Sequence, residues 1–426
     1  MTNPLLQSFN TKYQSAPFAE IKEEHYLPAF KELIDQSLQE IQEITQNPET
    51  PTFENTIEAL AYSGEQLDVV SNIFFNLNSA ETNDEIQQIA QEVSPLLTEF
   101  ASKISQNEQL FSRIKKVYDE KDQYSLNEEQ KMLLEETYKG FVRNGALLND
   151  EKKEQLKNIN IELSKKSLQF GQNVLAATNQ YYKHLTNKED LAGIPEAILA
   201  QYEEEAKERN LEGYVITLQF PSLLPVLTYA ENRELRKELA IANGKKSFDG
   251  GEFDNQNLIK ELVKLRQEKA QLLGYKSFAD YVLEERMAKS PQKVLEFLNE
   301  LLTKAKPFAQ KDVEELSVLA KADGITEMQS YDHAYYAEKL RKQKFDFNDE
   351  ELKPYFQLDK VQEAVFGLAG KLFGLEFVET TDIQKYHADV KTYEVLEVGS
   401  QKSEDGSFKA LLYADYHPRK GKRAGA

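Results

Sequence analysis

The sequence predicts a mostly α fold with a small β-sheet near the C-terminus. Three observations carry this. Apolar residues recur at helical spacing along most of the chain, caps and breakers punctuate those stretches, and β-rich runs are few and late.

Taken in order, helical patterns run through 18–46, 54–78, 83–118, 127–143 and 150–185, punctuated by Pro48, Pro51, Pro95, Pro195 and the glycines at 64, 140, 145 and 171. Tyr214–Leu218 is a short β-rich run. It opens an uncharged stretch, Gly213 to Ala230, about as long as a membrane span. Gln219, Ser222, Pro221 and Pro225 interrupt that stretch, so it reads as a buried strand followed by a turn. Residues 255–273 place Leu258, Leu262, Leu265 and Leu272 at helical spacing and close on Gly274, a good terminator. The stretch Ser290 to Pro307 begins with Ser-Pro, a capping hydroxyl followed by proline at the first helical position. Two late runs, Tyr393–Val398 and Phe408–Tyr416, flank Asp405-Gly406, a strong short-range signal for a hairpin. No fixed-period repeat is present, and the expected domain division, 1–225 and 226–426, falls in a soft region near 190–230.

Composition narrows the function classes. A chain of 426 residues can bury a large core in two or three domains. With 72 acidic against 52 basic residues the formal net charge is −20, which argues against a nucleic-acid partner. The absence of cysteine excludes disulfides, thiolate-bound metals and thiol nucleophiles, and suits a reducing compartment. The start, Met1-Thr-Asn-Pro-Leu-Leu, has no basic segment leading into an apolar run, so the expectation is a cytoplasmic protein without a membrane span.

The five histidines, His25, His184, His333, His387 and His417, leave no room for His-Glu-x-x-His, which sets two imidazoles one helical turn apart around a glutamate base. Two His/Asp pairs remain, His387 with Asp389 and Asp415 with His417; on a strand each would share a face and could grip a metal, although local hydrogen bonding is the ordinary use. Lys245-Lys246-Ser247 resembles the end of a phosphate loop, but Leu239 stands where its first glycine belongs. The run Arg419-Lys420-Gly421-Lys422-Arg423 could hold a carboxylate or phosphate; such runs are more often solvated. The tyrosine pairs 181–182 and 335–336 could present hydroxyls to a ligand, against the commoner use of helical aromatics in the core. The residues by themselves give no complete active site: no catalytic residue and no metal ligand is assigned.

Several short motifs do resemble a known family. Asn3-Pro-Leu, His25-Tyr-Leu-Pro-Ala-Phe30, Pro51-Thr-Phe-Glu-Asn-Thr-Ile57, Asn232-Arg-Glu-Leu-Arg236, Leu265 to Gly274 and Met287-Ala-Lys-Ser-Pro291 come first. Tyr331-Asp-His-Ala-Tyr-Tyr336, Leu352-Lys-Pro-Tyr-Phe356, Leu372 to Phe377, Tyr386-His-Ala-Asp-Val390 and Arg419 to Ala426 follow. In this order they resemble the N-terminal portion of the bacterial peptidyl-dipeptidases in the thimet oligopeptidase family of zinc peptidases, across essentially the whole chain. Tyr331 departs from the tryptophan common in that family, which puts only local packing in question.

The resemblance implies an elongated helical lobe followed by the first part of a helical catalytic domain, in an enzyme that uses zinc to cut short peptides in a groove between helical lobes, releasing C-terminal dipeptides. It also implies that the zinc-binding helix, the glutamate ligand and the groups that stabilise the tetrahedral intermediate lie beyond the matched part. No family ligand or catalytic residue has a matching position among these 426 residues, so they are expected to be inactive alone. Helices made to pack on absent elements would leave apolar surface exposed and favour self-association. The alternatives are a helical binding or scaffold protein that lost the chemistry, and a metal or anion site built from Asp415, His417 and the basic run.

Overall fold

The computed structural model describes residues 3–345, 352–398 and 408–423. The chain begins with α1 (Glu23–Gln46), a single turn α2 (Ala59–Tyr62), α3 (Glu65–Ala80) and α4 (Asp84–Ser105). Glu23 and Glu24 sit in the first turn of α1, where the helix dipole favours negative charge. Its apolar stripe, from Tyr26 and Phe30 through Leu33 and Ile34, buries against Leu67, Val70 and Phe74 of α3 and Ile86, Ile89 and Val93 of α4. Phe74 is the hub of this core, with ring centroids 4.9 Å from Tyr26, 5.5 Å from Phe30 and 5.1 Å from Phe75.

A second cluster joins the far end of α1 to a π turn at Phe53–Glu58, α5 (Glu108–Asp119) and α6 (Glu128–Arg143) through Ile41, Phe53, Ile57, Leu110, Ile114 and Leu134. α7 (Asp150–Gln180) is long and packs on α4 and α11 (Gln256–Leu272). Next come β1 (Tyr182–Leu185), α8 (Glu196–Glu208), β2 (Tyr214–Thr217), α9 (Phe220–Tyr229) and α10 (Arg233–Gly244). β1 and β2 pair antiparallel, and this unit has its own core around Tyr202, Ile216, Val226 and Leu239.

The remainder is α12 (Phe278–Leu283), α13 (Pro291–Ala322), α14 (His333–Phe345), α15 (Leu358–Phe373), β3 (Leu375–Glu379), β4 (Lys391–Glu397) and β5 (Phe408–Ala414). β3, β4 and β5 form an antiparallel sheet with β4 in the centre. Mostly α architecture with a small late sheet is therefore what the chain adopts. Among the described residues, no helix is long and apolar enough to cross a membrane.

Several expectations need correction. The 54–78 pattern breaks at Gly64, whose φ of 78° ends α2 and starts α3. The 83–118 pattern breaks at Asn107, whose side chain accepts from the Leu110 N–H and caps α5. Residues 182–185 are strand rather than helix, because they find a partner in β2. After β2 the chain forms helix α9, not a turn: Pro221 lies in its first turn, where no intrahelical N–H bond is forfeited. α13 starts as expected, with the Ser290 hydroxyl accepting from the Lys293 N–H, but continues through Pro307 to Ala322. Asp405-Gly406 lies outside the described residues.

Two of the family-like motifs meet in space. Asp332, fully buried, accepts from Arg233 Nη2 at 2.8 Å, Arg236 Nη2 at 3.0 Å and the Gln329 N–H at 2.9 Å. Arg236, 1% exposed, also donates to the Ala230 carbonyl at 2.7 Å. The rings of Tyr331 and Tyr335 cover Arg233 and Arg236 at 5.2 and 4.2 Å. Tyrosine at 331 thus keeps an aromatic cover over Arg233.

Candidate functional site

The two His/Asp pairs are local structures. His387 Nδ1 accepts from the Asp389 N–H at 3.2 Å, in a loop before β4 rather than on a strand. The pair's side-chain separation is 3.7 Å. Asp415 is fully engaged: Arg419 donates to both of its oxygens at 2.8 Å, Tyr386 OH donates at 3.0 Å, and Lys422 Nζ lies at 3.1 Å. A carboxylate so surrounded by cations has no face left for a metal beside His417. Among the described residues, no group of three or more His, Asp or Glu side chains is placed to hold a metal ion.

The basic run is docked through Arg419, Lys422 and its backbone, while the Lys420 side chain stays exposed. Arg419 also pairs with Glu81 and donates to the Ala80 carbonyl at 2.7 Å. Backbone bonds tie the same segment down: Thr82 N–H to the Gly421 carbonyl at 2.8 Å and Arg423 N–H to the Ser79 carbonyl at 2.9 Å. Asn179 of α7 reaches the Lys420 carbonyl at 2.9 Å. The expectation of a solvated run fails because Asp415, Glu81 and the C-terminal end of α3, whose carbonyls face outward, together form a cation-binding surface.

Hydrogen bonds from Arg419 hold the Asp415 carboxyl well below the usual carboxylate range, against the opposing effect of burial, with help from Lys422 and Tyr386. Burial, then Asp415, pushes the Tyr386 hydroxyl up to about 12. A carboxyl depressed in the folded state stabilises above its unfolded pKa, and the gain is lost as pH falls through the folded value. The melting-temperature gap between the parent chain and Asp415→Asn is therefore expected to be open at neutral pH and to shrink progressively below about pH 4. An equal gap at pH 7 and about pH 2 would contradict this network.

Of the tyrosine pairs, Tyr336 is in the core, whereas Tyr182 is 46% exposed. Tyr336 is 2% exposed, and burial pushes its hydroxyl up to about 12. Tyr335 lies against Arg236 and Tyr182 beneath Arg209, 4.9 Å from its ring centroid. Tyr181 OH faces Glu238 at 3.4 Å.

What the structure does bring together is a cavity of about 600 Å³ between α7, α9, the end of α10 and residues 416–423. Its apolar wall includes Phe170, Val174, Leu218 and Phe220, and its cations are Lys246, Lys422 and Arg423. Burial pulls both the Lys246 ammonium and the Arg423 guanidinium below their usual ranges. Lys246 comes from the lysine pair that failed as a phosphate loop, and Arg423 from the basic run. Each cluster was visible in the sequence; no spacing rule joins two groups so far apart along the chain.

Comparison with known proteins shows what the chain is similar to. Residues 226–426 match the model of peptidase family M3, and residues 30–153 match the neurolysin/thimet oligopeptidase N-terminal domain. The whole chain aligns with oligopeptidase A of Escherichia coli (strain K12) at 33% identity over 431 residues. It also aligns throughout with dipeptidyl carboxypeptidase of the same organism, at 35% identity over 427 residues. The chain spans 62% of the length of each of these relatives.

Proposed function

Because the chain belongs to peptidase family M3, we propose that it is the framework of a zinc-dependent peptidase that shortens small peptides by releasing C-terminal dipeptides. The observation that carries this is the alignment of the entire chain with an oligopeptidase and a dipeptidyl carboxypeptidase. Zinc of the expected kind needs three protein ligands in tetrahedral geometry with one position open. The described residues do not fit that requirement, since neither His/Asp pair has a third ligand and Asp415 is consumed by Arg419 and Lys422. Their part is to build the helical framework, in units 1–225 and 226–426, and to line the peptide's path. A cytoplasmic setting suits a chain with no cysteine.

The reading is tested by the coding sequence that follows codon 426. It is expected to continue in frame to His-Glu-x-x-His; an immediate stop codon would favour a helical binding protein instead.

Exposed apolar surface adds support. α15 buries none of its side chains, leaving Val361, Val365, Leu368 and Leu372 open, and Leu298, Leu302 and Phe308 of α13 are likewise exposed. Faces of this kind are covered by another polypeptide surface in a stable protein. We expect the isolated chain to cover them with a second copy, so light scattering should give masses above the monomer's 49.0 kDa that rise with concentration. A concentration-independent monomer that binds no hydrophobic dye would contradict this.

A further inference from the structure

We propose that the cavity containing Lys246 and Arg423 is an oxyanion pocket, and that the oxyanion it takes is the free carboxylate of a short peptide. The choice of a peptide as carrier rests on the reading above; the pocket itself does not.

The guanidinium of Arg423 carries the argument. Its Nε and Nη2 are buried and have no hydrogen-bond partner among the described residues. These two nitrogens form one edge of the guanidinium, the edge that meets both oxygens of a carboxylate through parallel bonds. Arginine keeps its proton inside proteins, so the charge cannot be relieved by titration and calls for an anion.

The surroundings point the same way. Lys246 supplies a second, half-buried cation, and among the described residues no carboxylate lines the cavity, although the chain carries 72 acidic residues. Lys422 is already committed to Asp415 at 3.1 Å, so among the described residues lining the cavity Lys246 and Arg423 are the cations left to meet a ligand. The position of Arg423 is built rather than incidental. Its backbone N–H is bound to Ser79, and its Nη1 lies 3.2 Å from the point where a Cβ on Gly171 would stand. Glycine in the interior of α7 is costly to the helix, and here it admits the guanidinium. Apolar side chains at Phe170, Val174 and Phe220 line the same cavity, and they suit a peptide better than a bare ion.

The test is calorimetry on the full 426-residue polypeptide at low salt, with inorganic phosphate, trialanine and trialanine amide. Phosphate and trialanine should compete, and the amide should bind at least about tenfold more weakly, the loss expected for one charge-assisted contact. Arg423→Gln should abolish binding of both anions, and Lys246→Gln should weaken both several-fold with an unchanged circular dichroism spectrum. Phosphate binding that needs Arg423, with no preference for trialanine over its amide, would uphold the pocket and overturn the peptide carrier. No anion binding, or equal binding by the parent chain and by Lys246→Gln and Arg423→Gln, would overturn the pocket. That failure would leave the peptidase reading standing, since it depends on the downstream sequence and not on this cavity.

Discussion

Asp332→Ala is expected to destabilise the chain by about 3–5 kcal/mol, because it leaves a buried guanidinium without its anion. Asp332 is fully buried and Arg236 is 1% exposed, so water cannot replace the lost carboxylate. Burial opposes ionisation of Asp332, but bonds from Arg233, the Gln329 N–H and Arg236 outweigh it and hold its pKa below the ordinary value. The charged pair is thus the folded species, and removing one half leaves the full desolvation cost of the other. Arg233 is part-exposed and its loss should cost less. Urea unfolding followed at 222 nm checks the ranking, since the chain has no tryptophan to report on. A shift for Asp332→Ala no larger than that for Arg233→Ala would mean the clamp is not held by charge.

Phe74→Ala should cost a comparable amount, about 3–5 kcal/mol, through the cavity it opens. Phe74 is wholly buried, and Tyr26, Phe30 and Phe75 all lie against its ring. Three helices of the first core converge there, so the site cannot collapse around alanine without moving α1 against α3. Tyr26→Phe is the control. Among the described residues the buried Tyr26 hydroxyl has no hydrogen-bond partner, so its removal should leave stability unchanged or raise it. A loss of more than about 2 kcal/mol for Tyr26→Phe would reveal a partner for that hydroxyl.

These residues also show what a sequence can disclose. The helical stripe through Tyr26, Phe30, Leu33 and Ile34 is legible because its period of 3.6 is imposed by one buried face. The Ser290-Pro291 start and the Gly274 stop are legible because capping is a local reaction between neighbours. By contrast, Tyr182–Leu185 looks like the end of a helix until Tyr214–Thr217 pairs with it. Pro307 looks like a stop, yet good helix formers on both sides carry α13 past it. The candidate site was harder still. Lys246 and Arg423 each stood out as charge clusters, but their meeting depends on Gly171, on Ser79 and on the docking of the basic run beside Glu81. Such encounters belong to tertiary structure, and no local pattern encodes them.

We propose that these 426 residues are the framework of a peptidase, and among the described residues no side-chain group is placed to hold its metal. The direct measurement is hydrolysis of an internally quenched peptide by the purified polypeptide, with zinc added and with a chelator. The same background rate is expected in both conditions. Cleavage that follows the monomer and oligomer peaks through chromatography, stops with chelator and returns with zinc would contradict it.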